Sequence, residues 1–191
     1  MSDTDDTVDL TGKLLIAMPG MGDDRFDKAV VFMCEHSDKG AMGLIVNKPA
    51  AGVKMNDLLE QLSIEKGPGS DGVPVYFGGP VESGRGFVLH SADYGTNTST
   101  LRIDDDFAMT ATLDILDDIA QGHGPRRSIL ALGYAGWAAG QLEQELHQNG
   151  WLTCDATPDI VFARDNGAKW TAALSALGVD ALVLSATAGR A

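Results

Sequence analysis

Apolar and polar positions alternate in short blocks along most of the chain. Lys13 to Met18 (KLLIAM) is short and almost wholly apolar, the pattern of a buried strand, and Pro19-Gly20-Met21-Gly22 ends it in a loop. Val30 to Glu35 and Met42 to Asn47 are rich in strand-forming residues. Ser37-Asp38-Lys39-Gly40 between them supplies turn chemistry, so an antiparallel hairpin is expected, closed by Asn47-Lys48-Pro49 because proline cannot donate to a ladder. Met55 to Leu62 places its apolar residues at helical spacing, with Asn56 or Asp57 as cap. Val75 to Phe77, Phe87 to His90 and Thr100 to Ile103 read as strands, the first two separated by Gly78-Gly79-Pro80 and Gly84-Arg85-Gly86.

Thr112 to Ala120 carries one apolar helical face, with carboxylates opposite, and stops at Gly122 and Gly124-Pro125. Ser128 to Tyr134 is a further buried strand. Gly140 to Gln148 is an amphipathic helix closed by Asn149-Gly150, Asp159 to Phe162 is short and β-like, and Lys169 to Leu177 is a last helix stopped by Gly178. Strands and helices intermixed in this way predict an α/β (mixed α+β) protein. Its sheet is mixed and partly antiparallel, with helices packed on it. Residues 1–10 read as a disordered acidic tail and 11–191 as one domain, with room for a small sub-lobe around residues 50–100.

The 23 glycines cluster in motifs rather than in a period, which points to tight turns and close backbone approaches. The net charge is −13. Nucleic-acid affinity rests on Lys and Arg displacing counterions, and the densest basic spot here is Arg126-Arg127, so direct nucleic-acid binding and attachment to an anionic membrane are both disfavoured. Cys34 and Cys154 form no CxxC pair, no basic-then-apolar leader opens the chain, and no apolar run is long enough to cross a bilayer. The compartment expected is a reducing cytoplasm.

A series of dense motifs stands in order along the chain. They are Leu15-Ile16-Ala17-Met18-Pro19, Glu35-His36, Gly40 through Pro49 (GAMGLIVNKP), Gly78-Gly79-Pro80-Val81, Arg85-Gly86-Phe87-Val88-Leu89-His90, Gly133-Tyr134-Ala135-Gly136-Trp137, and Gly140-Gln141-Leu142-Glu143 leading to Trp151-Leu152. Their order and spacing resemble the bacterial YqgE/AlgH family over nearly the whole chain, from about residue 11 onward. The resemblance implies a cytoplasmic α/β protein with a mixed sheet and a role in transcriptional control. It carries over no catalytic residue and no cofactor.

The residues themselves offer several constellations. Arg85 and His90 sit at odd spacing, so on a regular strand they point apart, and an anion clamp using both needs a bulge. The bland alternative pairs Arg85 with a carboxylate and leaves His90 with one hydrogen bond at a strand end. Gly78-Gly79-Pro80 could cradle an anion with backbone N–H groups, Gly79 among them, or could simply turn the chain. Glu35-His36 lacks the spacing of a metal site, and no GxSxG accompanies any serine. Gly133 to Trp137, placed between a strand and a helix, sets Tyr134 and Trp137 where ligands bind in open sheets, with Gln141 and Glu145 on the following helix. Alternatively, the small residues there let the helix pack closely and the tryptophans anchor the core.

The candidate binding residues are therefore Gly79, Arg85, His90, Tyr134, Trp137, Gln141 and Glu145, with no catalytic residue, metal or cofactor assigned. The leading expectation is a non-catalytic binding or regulatory protein that meets a protein or small-molecule partner. The rival is an enzyme for a small anionic substrate, with Arg85 as anion binder and His90 or Glu145 as acid or base. A third possibility is a homodimer built on the aromatic and glycine motifs.

Overall fold

The computed structural model describes residues 9–19, 24–70, 72–95 and 100–178. The expected tail thus falls outside the described residues up to position 8. Among the described residues nine strands form one sheet: β1 Lys13–Ala17, β2 Val30–Ser37, β3 Gly40–Ile45, β4 Val75–Phe77, β5 Val81–Ser91, β6 Thr100–Arg102, β7 Phe107–Thr110, β8 Ser128–Ala138 and β9 Trp151–Asp155. The order is β6-β7-β5-β8-β3-β2-β1-β9, with β4 also on β8. Every pairing is antiparallel except β4 with β8, so the sheet is mixed, as expected. The α-helices among the described residues that cover it are α1 Met55–Gln61, α2 Asp114–Ala120, α3 Gln141–His147, α4 Pro158–Val161 and α5 Asn166–Ala176.

Strand β8 organises the molecule because it changes partner along its length. Its first half lies between β5 and β4, and its second half, from Ala135 to Ala138, pairs with β3. The change occurs at Gly133, whose φ of +75° suits glycine. There Gly78 takes a hydrogen bond from Ile45 and gives one to Leu132, so the backbone of β3, β4 and β8 meets at one crossing. Gly79 is pressed still closer. A Cβ on it would lie 2.0 Å from the carbonyl carbon of Tyr134, so only glycine fits.

Alternation along the strands divides the core in two directions. Leu14, Ile16, Val30, Phe32, Leu44, Phe87 and Leu89 face the side covered by α4 and α5, where Trp170 donates its indole N–H to the Ala17 carbonyl. Leu15, Ala17, Val31, Met33 and Ile45 face the side covered by α3, while Val75, Val88 and Leu130 meet α1 and α2 in a third cluster. A strand such as β1, buried on both faces, reads as a continuous apolar run. Each of its Leu and Ile side chains contributes about 1.5–3 kcal/mol by leaving water.

Several local expectations need correction. Gly84-Arg85-Gly86 does not separate two strands; it lies inside β5, which starts at Val81 and shifts register between Val81 and Gly86. The strand expected to end at Tyr134 runs on to Ala138, so all of Gly133 to Trp137 lies within β8 rather than partly between strand and helix. Asp159 to Val161 is helical rather than β-like, with Phe162 as the C-cap. Pro158 opens that turn and Thr157 caps it through the Ile160 N–H, local signals that outweigh the β-branched Ile160-Val161. The N-cap of α1 is Lys54, whose N–H reaches the Asp57 carboxylate, so Asp57 closes the turn from the third helical position and Asn56 is not the cap. Strands β7 and β9 had no expected counterpart. The first is launched by Asp104, whose carboxylate accepts from the Asp106 and Phe107 N–H groups, so that aspartate shapes a turn within the acidic triplet.

Candidate functional site

The seven candidate residues separate into four environments. Arg85, Tyr134 and Trp137 line one open cleft of about 620 Å³ with Glu35, Ser37, Lys39, Gly40, Ala41, Met42, Val81, Glu82, Phe87, Met109, Ala111 and Gly136. It lies between the outer half of β5 and the end of the β2–β3 hairpin, with the second half of β8 beneath. Phe87 and Tyr134 meet edge to face with centroids 5.7 Å apart, and Met42 and Tyr134 pack against the core. The rim carries both signs: Glu35 and Glu82 against Lys39 and Arg85.

Arg85 is held lightly. Its guanidinium stands 5.0 Å from the Phe87 ring centroid and 3.6 Å from the Glu82 carboxylate, and both members of the ion pair are about half exposed. Such an exposed pair contributes only about 0–1 kcal/mol, so an incoming carboxylate competes with Glu82 at small cost. Residues 85 and 87 share a face of β5, as strand alternation requires, and that leaves His90 on the other side.

His90 is interred at 0 % exposure. Its Nδ1 stands 2.8 Å from the Ser91 carbonyl, an acceptor only, so Nδ1 carries the proton. Nε2 then accepts from the Thr110 hydroxyl at 2.9 Å, and Thr110 in turn accepts from Thr100 at 2.8 Å. Burial pulls the imidazole pKa below its usual value, against the opposing pull of the Ser91 carbonyl. Both ring nitrogens are committed to structure, and the ring opens on no cleft shared with Arg85.

Glu145 and Gln141 belong to the face under α3. One carboxylate oxygen of Glu145 accepts the indole N–H of Trp137 at 2.6 Å and that of Trp151 at 3.2 Å, and the two indoles meet edge to face. Gln141 accepts the Ala138 N–H and so closes the turn from β8 into α3. Gly79 serves the backbone crossing described above. Arg85, His90, Tyr134 and Glu145 therefore do not meet in one pocket, as the enzyme reading would require: Arg85 and Tyr134 share the cleft, His90 points from the other face of β5, and Glu145 stands on α3 against the two indoles.

Glu35 and His36 are neighbours on β2 and point to opposite faces, as strand alternation in the sequence requires. Glu35 lines the cleft, while His36 is buried and accepts the Leu10 N–H at Nδ1, which leaves Nε2–H for the Glu143 carboxylate at 2.6 Å. That bond holds the Glu143 carboxyl below its usual value. Both cysteines are buried and free; burial drives the Cys34 thiol upward and, with Asp155 nearby, pushes Cys154 up to about 11. Among the described residues no three His, Cys, Asp or Glu side chains gather as a metal site, and no helix is long and apolar enough to cross a membrane.

The cleft residues Met42, Val81, Glu82, Phe87 and Met109 went unrecognised in the sequence, since nothing in an apolar strand pattern says which residues end at an opening. The whole chain, site included, has close counterparts. A UPF0301 protein of Ruegeria pomeroyi is 60 % identical over 96 % of this chain and 100 % of its own, and one of Paracoccus denitrificans is 52 % identical over 98 % and 100 %. The solution structure of the AlgH protein from Pseudomonas aeruginosa is 42 % identical over the full length of both chains and superposes with a TM-score of 0.78. The fold is shared, too, by a protein of Corynebacterium diphtheriae at 22 % identity, with a TM-score of 0.67 over 83 % of this chain and 82 % of that one. A sequence profile of the AlgH-like family matches residues 14–182, so the chain belongs to the AlgH-like family.

Proposed function

We propose that this protein is a cytoplasmic, non-catalytic regulatory protein that works by binding a partner protein at the cleft between β5 and the β2–β3 hairpin. The observation that carries the reading is the make-up of that cleft. Its interior is apolar and adaptable, with Met42, Phe87, Met109 and Tyr134, and its rim pairs acidic Glu35 and Glu82 with basic Lys39 and Arg85. An apolar centre inside a charged rim is the usual anatomy of a protein–protein contact, and Met, Tyr and Arg are favoured there. The net charge of −13 supports a role in transcriptional control exercised through a protein rather than through DNA.

The test places a photo-crosslinking residue at Val81 in the native cytoplasm, and a second at Glu60 on α1, which does not line the cleft. The protein captured from position 81 is identified, purified and titrated against the wild type and an Arg85→Glu variant. Saturable binding that weakens at least about tenfold in the variant supports the reading, since a rim arginine that meets an acidic partner becomes a repulsion. Equal capture from both positions, or unchanged affinity in the variant, refutes it. Tight sequence-dependent DNA binding at physiological salt refutes the choice of a protein partner.

A further inference from the structure

A second, larger cavity of about 840 Å³ opens away from the cleft, between the end of α2, the start of β8 and the segment joining α4 to α5. Three of the chain's arginines line it: Arg126, Arg127 and Arg164. In a chain with 27 acidic and 14 basic residues, that gathering runs against the overall charge. From this geometry we infer that the cavity binds a small phosphate-bearing molecule of about the size of a nucleoside diphosphate.

Four observations bear on it. Arg164 has no hydrogen-bond or ion-pair partner among the described residues. Among the described residues the Arg127 guanidinium has only the highly exposed Asp159 carboxylate at 3.4 Å, and the Asp93 carboxylate accepts the backbone N–H of Arg126 rather than its guanidinium. Guanidinium groups with free donors are suited to phosphate oxygens, which they grip two bonds at a time. Next, Tyr76 and Asn166 line the same cavity and are hydrogen-bonded to each other at 2.6 Å. Behind them Lys169, 1 % exposed, donates to the Val46 carbonyl and the Tyr76 hydroxyl and has no carboxylate partner among the described residues. A buried cation without a counter-charge adds to the positive field at that end of the cavity.

Third, Gly72 and Gly122 line the cavity, and among the described residues a Cβ on either would meet nothing within 4 Å beyond its chain neighbours. Finally, Tyr76, Phe162, Ile119 and Pro125 supply apolar and flat surface beside the arginines. The volume lies in the range of roughly 300–1,000 Å³ common for small-ligand sites. Distant carboxylates are screened beyond about 8 Å at physiological salt, so the local arginines dominate.

The full-length protein is titrated by calorimetry at physiological salt with ADP, inorganic pyrophosphate and adenosine as probes. ADP and pyrophosphate are expected to saturate one site and adenosine to give no binding. Arg126→Gln and Arg164→Gln should each weaken ADP by roughly tenfold or more, as loss of a charged hydrogen-bond donor does. Arg85→Gln, in the other cleft, should leave it unchanged, which separates this site from the one proposed for the partner protein. Circular dichroism and thermal melts establish that the variants are folded. The inference is overturned if neither ADP nor pyrophosphate saturates a site, or if the folded double variant Arg126→Gln/Arg164→Gln binds as tightly as the wild type. It is also overturned if a short single-stranded RNA binds through the same arginines at least tenfold tighter than ADP.

Discussion

Lys169 gives the energetics their sharpest handle. It is almost wholly buried on α5, its Nζ 2.7 Å from the Val46 carbonyl, 3.3 Å from the Tyr76 hydroxyl and 4.7 Å from the Tyr76 ring centroid. Burial disfavours its charged form and pulls its pKa from 10.5 down to about 8. Between those values the unfolded chain still holds the proton that the folded protein has released, so rising pH favours the folded state. Integrating that difference from pH 7.5 to 9.5 gives about 2 kcal/mol of added stability from this one residue. Other groups act in the opposite sense, because the Cys154 thiol, pushed up to about 11 in the fold, ionises more easily when unfolded. The measurement is therefore a difference: urea denaturation of the wild type and Lys169→Met across that pH range. The wild type should gain about 2 kcal/mol relative to the variant as pH rises. A difference that stays constant within about 0.5 kcal/mol would show that the lysine is solvated or paired, and the reasoning would be wrong.

Further outcomes follow from single contacts. Gly79→Ala pushes a methyl group into the Tyr134 backbone and should cost more than about 4 kcal/mol or prevent folding, read as a lost cooperative melt. Glu145→Ala strands two indole N–H donors and should cost about 2–3 kcal/mol by urea denaturation, whereas Glu145→Gln keeps an acceptor and should cost less. Arg85→Ala, on an exposed rim, should change stability by less than about 0.5 kcal/mol and act only on partner binding. Native protein at pH 8 should leave Cys34 unmodified by a thiol reagent that labels it quickly in urea, as mass spectrometry would report.

What could be read from the residues depended on where the deciding interaction lay. The β2–β3 hairpin and β1 were legible because their apolar runs and the turn at Ser37 to Gly40 are local signals. Helices α2, α3 and α5 were legible for the same reason, each being periodic and followed by a glycine or an Asn-Gly stop. Strand β7 was not, since its four residues form a strand only because β5 and β6 flank them, and β9 exists because β1 offers an edge. The same limit applied to the site. Alternation correctly separated Arg85 from His90. It could not show that β8 continues past Tyr134, and that continuation turns Trp137 toward Glu145 and leaves Tyr134 beside Arg85. The meeting of Arg126-Arg127 with Arg164 was likewise invisible, because it is made by the return of the chain between α4 and α5.

The claim on which the functional reading rests is that the opening walled by β5, the hairpin and the far half of β8 is where the partner sits. Amide hydrogen exchange, measured on the protein alone and with the purified partner, addresses it residue by residue. Exchange should slow at residues 35–42, 81–87 and 134–137 and stay the same over α1 and α2. Slowing confined to α1 and α2, with those three segments unchanged, would contradict it.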